Sequence, residues 1–277
     1  MTVLLSLVAA LSYGLADFCG GLASKRGSAW GVALVSSATG AVLVFGASLA
    51  LGGDPTATDL WWGAAAGVGN GFGTAFLYRG LSSGRMGVVA PVSGVGAAVI
   101  PVVVGVLLLG ERPALLVWAG ILLAMPAIWL VAREPARFSA ASPGGLVDGA
   151  LAGLGFGFLF VALSRVTEDA GLLPLAVNQV VAMVVIVLVA TVLRVPWRPG
   201  RSTALGGMLA GALSVAATVC FLFATRQGYL SIASVVTSLY PAITVVLAAS
   251  VLREHIHRAQ AAGLLLCAVA VSLVASG

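Results

Sequence analysis

Nine acidic residues occur in the chain, and Asp17 alone falls well inside an apolar run, in Ser12–Gly21 (SYGLADFCGG). A carboxylate in hydrocarbon is costly, so it faces a partner or a watery cavity and marks a functional site by default. Burial penalises its charged form, so such a group could exchange a proton near neutral pH and couple solute movement to a proton gradient. The competing reading is a helix-end carboxylate bonded to Lys25, Arg26 or a neighbouring segment.

Uncharged polar residues at depth form a second group. Asn70 stands within Gly67–Gly73 (GVGNGFG), and Asn178 adjoins Gln179 in another apolar run. These amides could bind a polar solute or hydrogen-bond between helices, a use worth about 1 kcal/mol in membranes. Ser93 and Tyr240 lie beside the prolines Pro91, Pro101 and Pro241. Proline inside a helix frees a backbone carbonyl, and interruptions at corresponding places in two halves of a chain point to a binding site. Tyr240 is the preferred cavity aromatic, and Trp118 is a weaker candidate. Glu111 and Glu254 end their apolar runs beside Arg112 and Arg253, and read as interfacial anchors or interhelix ion pairs.

The same inventory argues against an enzyme. Neither a His nor a Glu lies within an apolar run, so no nucleophile–base pair or metal cluster is expected at depth. His255 and His257 read as surface residues, and Cys19, Cys220 and Cys267 as small packing residues. No nucleotide-binding loop is present, because Gly67–Gly73 follows no strand. No cofactor is expected.

The elements that position these residues follow from composition. Sixty per cent of the 277 residues are hydrophobic and 8% are charged, against about 25% charged in a soluble domain. A net charge of +5, scattered along the chain, gives no nucleic-acid footprint. Ten apolar windows, near 3–22, 30–51, 60–81, 87–109, 114–132, 146–164, 172–193, 204–225, 230–252 and 258–276, match the length of a bilayer-crossing helix. Backbone groups in lipid must be satisfied internally, so these windows are helices.

The stretch Ala75–Arg112 returns in altered form at Cys220–Glu254, with Phe76-Leu77-Tyr78 against Phe221-Leu222-Phe223 and Glu111 against Glu254. The polar stretch Arg133–Gly145 divides the windows five and five. An odd number of spans per half inverts the second half relative to the first, a common transporter architecture. The expected fold is therefore all-α and integral to the membrane, with ten transmembrane helices as two inverted five-helix repeats. Residues 1–133 form the first repeat, 134–145 a linker and 146–277 the second. Loops after odd-numbered spans hold eleven Lys and Arg, those after even-numbered spans three. The positive-inside rule makes the richer face cytoplasmic, with both termini outside.

Leu109-Gly110-Glu111-Arg112, preceded by Ala90-Pro91-Val92, and the weaker Leu252-Arg253-Glu254-His255, preceded by Ala233-Ser234-Val235 and Tyr240-Pro241, resemble the EamA domain of the drug/metabolite transporter superfamily. The resemblance covers nearly the whole chain as two domains. It implies a ten-helix carrier of small metabolites with a central cavity and alternating access. Many members carry cytoplasmic termini, whereas the charge count here places the termini outside. The expected function is a secondary active transporter of a small metabolite or drug-like solute in the bacterial cytoplasmic membrane, with proton coupling through Asp17. The alternative is a channel or a non-transporting scaffold. The cavity is expected between spans 1, 3, 4, 6, 8 and 9. Expected partners are a small-molecule substrate and the lipid bilayer, without nucleic acid and with a homodimer left open.

Overall fold

The apolar windows fold as helices in the computed structural model of the chain, which describes residues 1–82, 86–131, 143–251 and 256–276. In chain order the helices are α1 (Thr2–Ser24), α2 (Ala29–Leu51), α3 (Ala57–Ser82), α4 (Met86–Leu107), α5 (Leu115–Val131), α6 (Pro143–Leu163), α7 (Leu173–Val192), α8 (Arg201–Arg226), α9 (Leu230–Thr237), α10 (Tyr240–Val251) and α11 (Arg258–Ser276). A 3-10 turn, Glu168–Ala170, precedes α7. There is no strand among the described residues. Most of the expected linker, residues 134–142, and Glu254 with Arg253 and His255 lie outside the described residues.

Among the described residues, six segments are long and apolar enough to cross a membrane: Thr2–Ser24, Ala29–Leu51, Leu173–Val192, Thr203–Arg226, Leu230–Val251 and Arg258–Ser276. Large apolar side chains such as Val42, Leu49, Leu107, Leu115, Leu122 and Leu265 point outward. A soluble protein keeps such exposure to small patches. Distributed over many helices, it is the surface of an integral, multi-pass membrane protein.

Local chemistry sets several helix ends. The Ser28 hydroxyl accepts the Gly31 N–H at 3.2 Å at the start of α2. Thr56 and Asp59 cap α3 reciprocally. The Asp59 carboxylate accepts the Thr56 N–H at 2.9 Å, and the Thr56 hydroxyl accepts the Asp59 N–H at 3.2 Å. This satisfies amides that the first helical turn leaves unpaired.

Prolines act unequally. Pro241 has no N–H to give the Thr237 carbonyl, and the ninth window breaks there into α9 and α10. The corresponding fourth window was expected to be interrupted too, yet α4 runs unbroken through Pro91 and Pro101. Likewise α5 runs through Pro126. A proline removes one hydrogen bond from a helix. Tight packing holds α4 together across that loss, with Gly96 set against Gly153 of α6.

Helices pack chiefly across the midpoint of the chain: α1 on α8, α3 on α6 and α7, α2 on α7 and α8, α4 on α6, and α5 on α11. The backbone approaches repeat in register. Gly63 packs on Pro174 and Gly67 on Asn178, where α3 meets α7. Gly207 packs on Val32 and Gly211 on Ser36, where α8 meets α2. Adding 144 to the first member of each α3–α7 pair and subtracting 142 from the second gives the α8–α2 pair. In the same way Gly14 against Ile243 maps onto Gly157 against Ile100, at an offset of 143. The two halves are thus related by a pseudo-two-fold exchange, with small residues at the crossings where backbones come closest.

Candidate functional site

That exchange brings α1 and α6 together around one cavity. Tyr13 and Asp17 of α1, Phe156 and Phe160 of α6, and Tyr240 at the start of α10 line it. Its volume is ≈ 10 Å³, about the space that one water needs. Spans 1, 6 and 9 supply these side chains, and Gly73 of α3, Ser93 of α4, and Thr218 and Phe221 of α8 lie against the rings from behind.

Asp17 lies seven residues before the end of α1, about 10 Å along the helix axis. It is 6% exposed, and its Oδ2 is buried without a hydrogen-bond partner. Neither Lys25 nor Arg26 bonds to it, and both are exposed. A charged carboxylate left this way forfeits its hydration without compensation. It is stable as the neutral acid, or beside a cation that enters the cavity.

The rings around Asp17 are held in place. The Tyr13 hydroxyl shares a hydrogen bond with Thr218 of α8 at 2.9 Å, and the Tyr240 hydroxyl with Ser93 of α4 at 2.7 Å. Ring centroids of Tyr13 stand 6.2 Å from both Phe160 and Tyr240, within the range of favourable aromatic contact. Phe160 stacks on Phe221 at 4.2 Å. Gly14 lets α10 approach α1, because a Cβ there would meet Ile243 and the Tyr240 carbonyl. The Thr244 hydroxyl bonds the carbonyls of Gly14 and Tyr240 at 3.3 and 3.2 Å, across the same contact.

The amides expected at depth gather elsewhere. The Asn70 side-chain N–H₂ donates to Asn178 at 2.9 Å and to Gln179 at 3.4 Å, and its oxygen accepts the Thr74 hydroxyl at 3.2 Å. This α3–α7 network contributes no side chain to the cavity lining. Trp118 packs with the α5–α11 core and is also absent from the lining.

Polar contacts close both ends of the bundle between the halves. At one end, Glu111 accepts the first two amides of α9, Leu230 N–H at 2.6 Å and Ser231 N–H at 3.0 Å. It caps that helix from the other half of the chain. At the same end the Asp59 carboxylate accepts the Thr167 N–H at 2.8 Å, and within the second half Arg226 holds the Thr167 carbonyl at 2.7 Å. At the other end Arg79 of α3 forms an ion pair with Asp148 of α6, and Ser28 bonds the Pro196 carbonyl.

Sequence reasoning passed over Tyr13, Phe156 and Phe160. Their signal was available in the repeat. Tyr13-Gly14 and Phe156-Gly157 are the same ring–glycine pair 143 residues apart.

The sequence profile of the EamA-like transporter family matches residues 1–133 and again residues 144–276. A solved crystal structure superposes with a TM-score of 0.72 over 98% of this chain and 95% of its own, at 18% sequence identity. At that identity the likeness concerns the fold. No curated protein matches the chain in sequence.

Proposed function

The chain belongs to the EamA-like transporter family, and from that premise we propose that it is a secondary active transporter of a small solute, working by alternating access. Ten spans form two inverted five-helix halves, which rock about the cavity between α1, α6 and α10 in the bacterial cytoplasmic membrane. Asp17 exchanges a proton as the cavity opens to one side and then the other.

The observation that carries this reading is the buried, unpartnered Asp17 carboxyl facing a water-sized space. A cavity that small admits no metabolite, so transport requires the halves to part. The contacts at the two ends give two places to part. Releasing Asp59–Thr167 and Glu111–α9 opens one face, and releasing Arg79–Asp148 opens the other. In vesicles of purified protein, an imposed proton gradient drives solute movement, and Asp17→Asn removes that dependence while the protein stays folded. Equal gradient-driven movement by Asp17→Asn contradicts the role of Asp17.

A further inference from the structure

We infer that the end of the bundle closed by Arg79 and Asp148 holds an anionic phospholipid. Its phosphate sits among Lys25, Arg26, Arg194, Arg198 and Arg201, and its acyl chains lie on the outward faces of α7 and α8. The inference concerns the membrane around the protein and stands apart from the solute in the cavity.

Two loops from opposite halves meet at that end. Lys25 and Arg26 lie between α1 and α2, Arg194 and Arg198 lie between α7 and α8, and Arg201 opens α8. The loops are in contact. Ser28 bonds the Pro196 carbonyl, Gly31 lies against Arg198 and Pro199, and Gly27 lies against Thr203. All five cations are exposed. Among the described residues none of the five forms an ion pair, and Asp148 at the same end is already held by Arg79. Like charges gathered without a counter-ion repel one another, and an anion arriving from the bilayer relieves that repulsion.

The repeat shows that the fold does not require this charge. The same pair of loops is built at the opposite end, where the Asp54 N–H donates to the Asp169 carbonyl at 2.8 Å and Gly53 lies against Gly171. Lys25 and Arg26 correspond there to Glu168 and Asp169, 143 residues on, and Asp54, Glu168 and Asp169 are exposed. One loop pair is acidic and its twin is basic, on a common scaffold. A basic group at the headgroup level attracts anionic lipid, with each Lys or Arg adding to the binding.

A lipid fits this place better than a free anion does, because apolar surface continues from the cations. Val184, Leu188 and Val192 are exposed at four-residue spacing along α7, so they form one stripe, and it ends just before Arg194. Leu205 and Leu209 are exposed in the same way on α8, beyond Arg201. Both helices pack on α2. Trp197, half-buried and between Arg194 and Arg198 in the chain, is of the type that settles at the level of the headgroups. A phosphate across both loops ties the two halves together at this end.

The test uses full-length protein in a neutral detergent, mixed with equal amounts of phosphatidylglycerol and phosphatidylcholine of the same acyl chains. Native mass spectrometry counts the lipid that stays bound. Phosphatidylglycerol is expected to be retained over phosphatidylcholine by about tenfold or more, and to be released as salt rises. Arg194→Gln with Arg198→Gln is expected to weaken its binding about tenfold or more. Arg112→Gln with Arg165→Gln, which removes the same charge at the opposite end, is expected to leave it in place. Lys25→Gln with Arg26→Gln repeats the test from the other loop, and thermal unfolding shows that each variant is folded. The comparison of the two lipids on the native protein decides the matter even where a variant fails to fold. Orientation in the membrane has no bearing in detergent, so charges that serve only to orient the chain predict equal retention of both lipids. That result overturns the inference. So does equal weakening by the variant pairs of the two ends, or displacement of the lipid by millimolar inorganic phosphate, which would make the ligand a free anion.

Discussion

Asp17 and Phe160 occupy the same place in the two halves of the chain, 143 residues apart, and face one cavity. A repeat that builds the fold twice has thus been made chemically one-sided at its centre. The scaffold around the pair remains two-fold, as the matched crossings at Gly67–Asn178 and Gly211–Ser36 show. The site chemistry therefore rests on Asp17 and the four rings around it, and the rest of the chain can be probed as support.

The cap that Glu111 places on α9 predicts a graded loss. Glu111→Ala removes the acceptor for two amides and should cost about 1–2 kcal/mol, as helix-cap deletions do. Glu111→Gln keeps an acceptor and forfeits the charge–dipole part, about 0.3–1 kcal/mol. Thermal unfolding in detergent measures both. A Glu111→Ala protein as stable as the native one would show that the cap is idle.

Close crossings predict steric intolerance at particular glycines. A Cβ on Gly155 would meet the Gly69 carbonyl and the Gly73 backbone, whereas nothing lies within 4 Å of one on Gly46. Gly155→Val should force α3 from α6 and cost at least about 1–3 kcal/mol, seen as lost folded yield. Gly46→Ala should gain about 0.5–1 kcal/mol from helix propensity. Equal yields of the two variants would contradict the packing.

The amide network predicts a coupling without a transport defect. In a thermal double-mutant cycle, Asn70→Leu and Asn178→Leu should couple by about 0.6–1.7 kcal/mol, the range for hydrogen bonds between membrane helices. Solute flux should persist in Asn70→Leu, because the network lines no part of the cavity. Lost flux at unchanged stability would give these amides a solute contact.

Much of this was legible in the sequence because lipid leaves few choices. Apolar length fixed where the helices run, and the expense of a buried charge singled out Asp17. The repeat was visible in Phe76-Leu77-Tyr78 and Phe221-Leu222-Phe223. The partners of those residues were not legible. Rings such as Tyr13, Phe156 and Phe160 look like any core aromatic until the fold turns them toward one another. The contact of Glu111 with α9 spans 119 residues, and no local pattern encodes it. Prolines were read as breaks, but whether a helix yields depends on its neighbours. The chain breaks before Pro241 and continues through Pro101.

The measurement that bears most directly on the account is solute flux in sealed vesicles under an imposed proton gradient, native protein beside Asp17→Asn. The account predicts gradient-dependent movement by the native protein and none by Asp17→Asn, with both equally resistant to heat. Gradient-dependent movement at the same rate in both would remove Asp17 from the mechanism and contradict it.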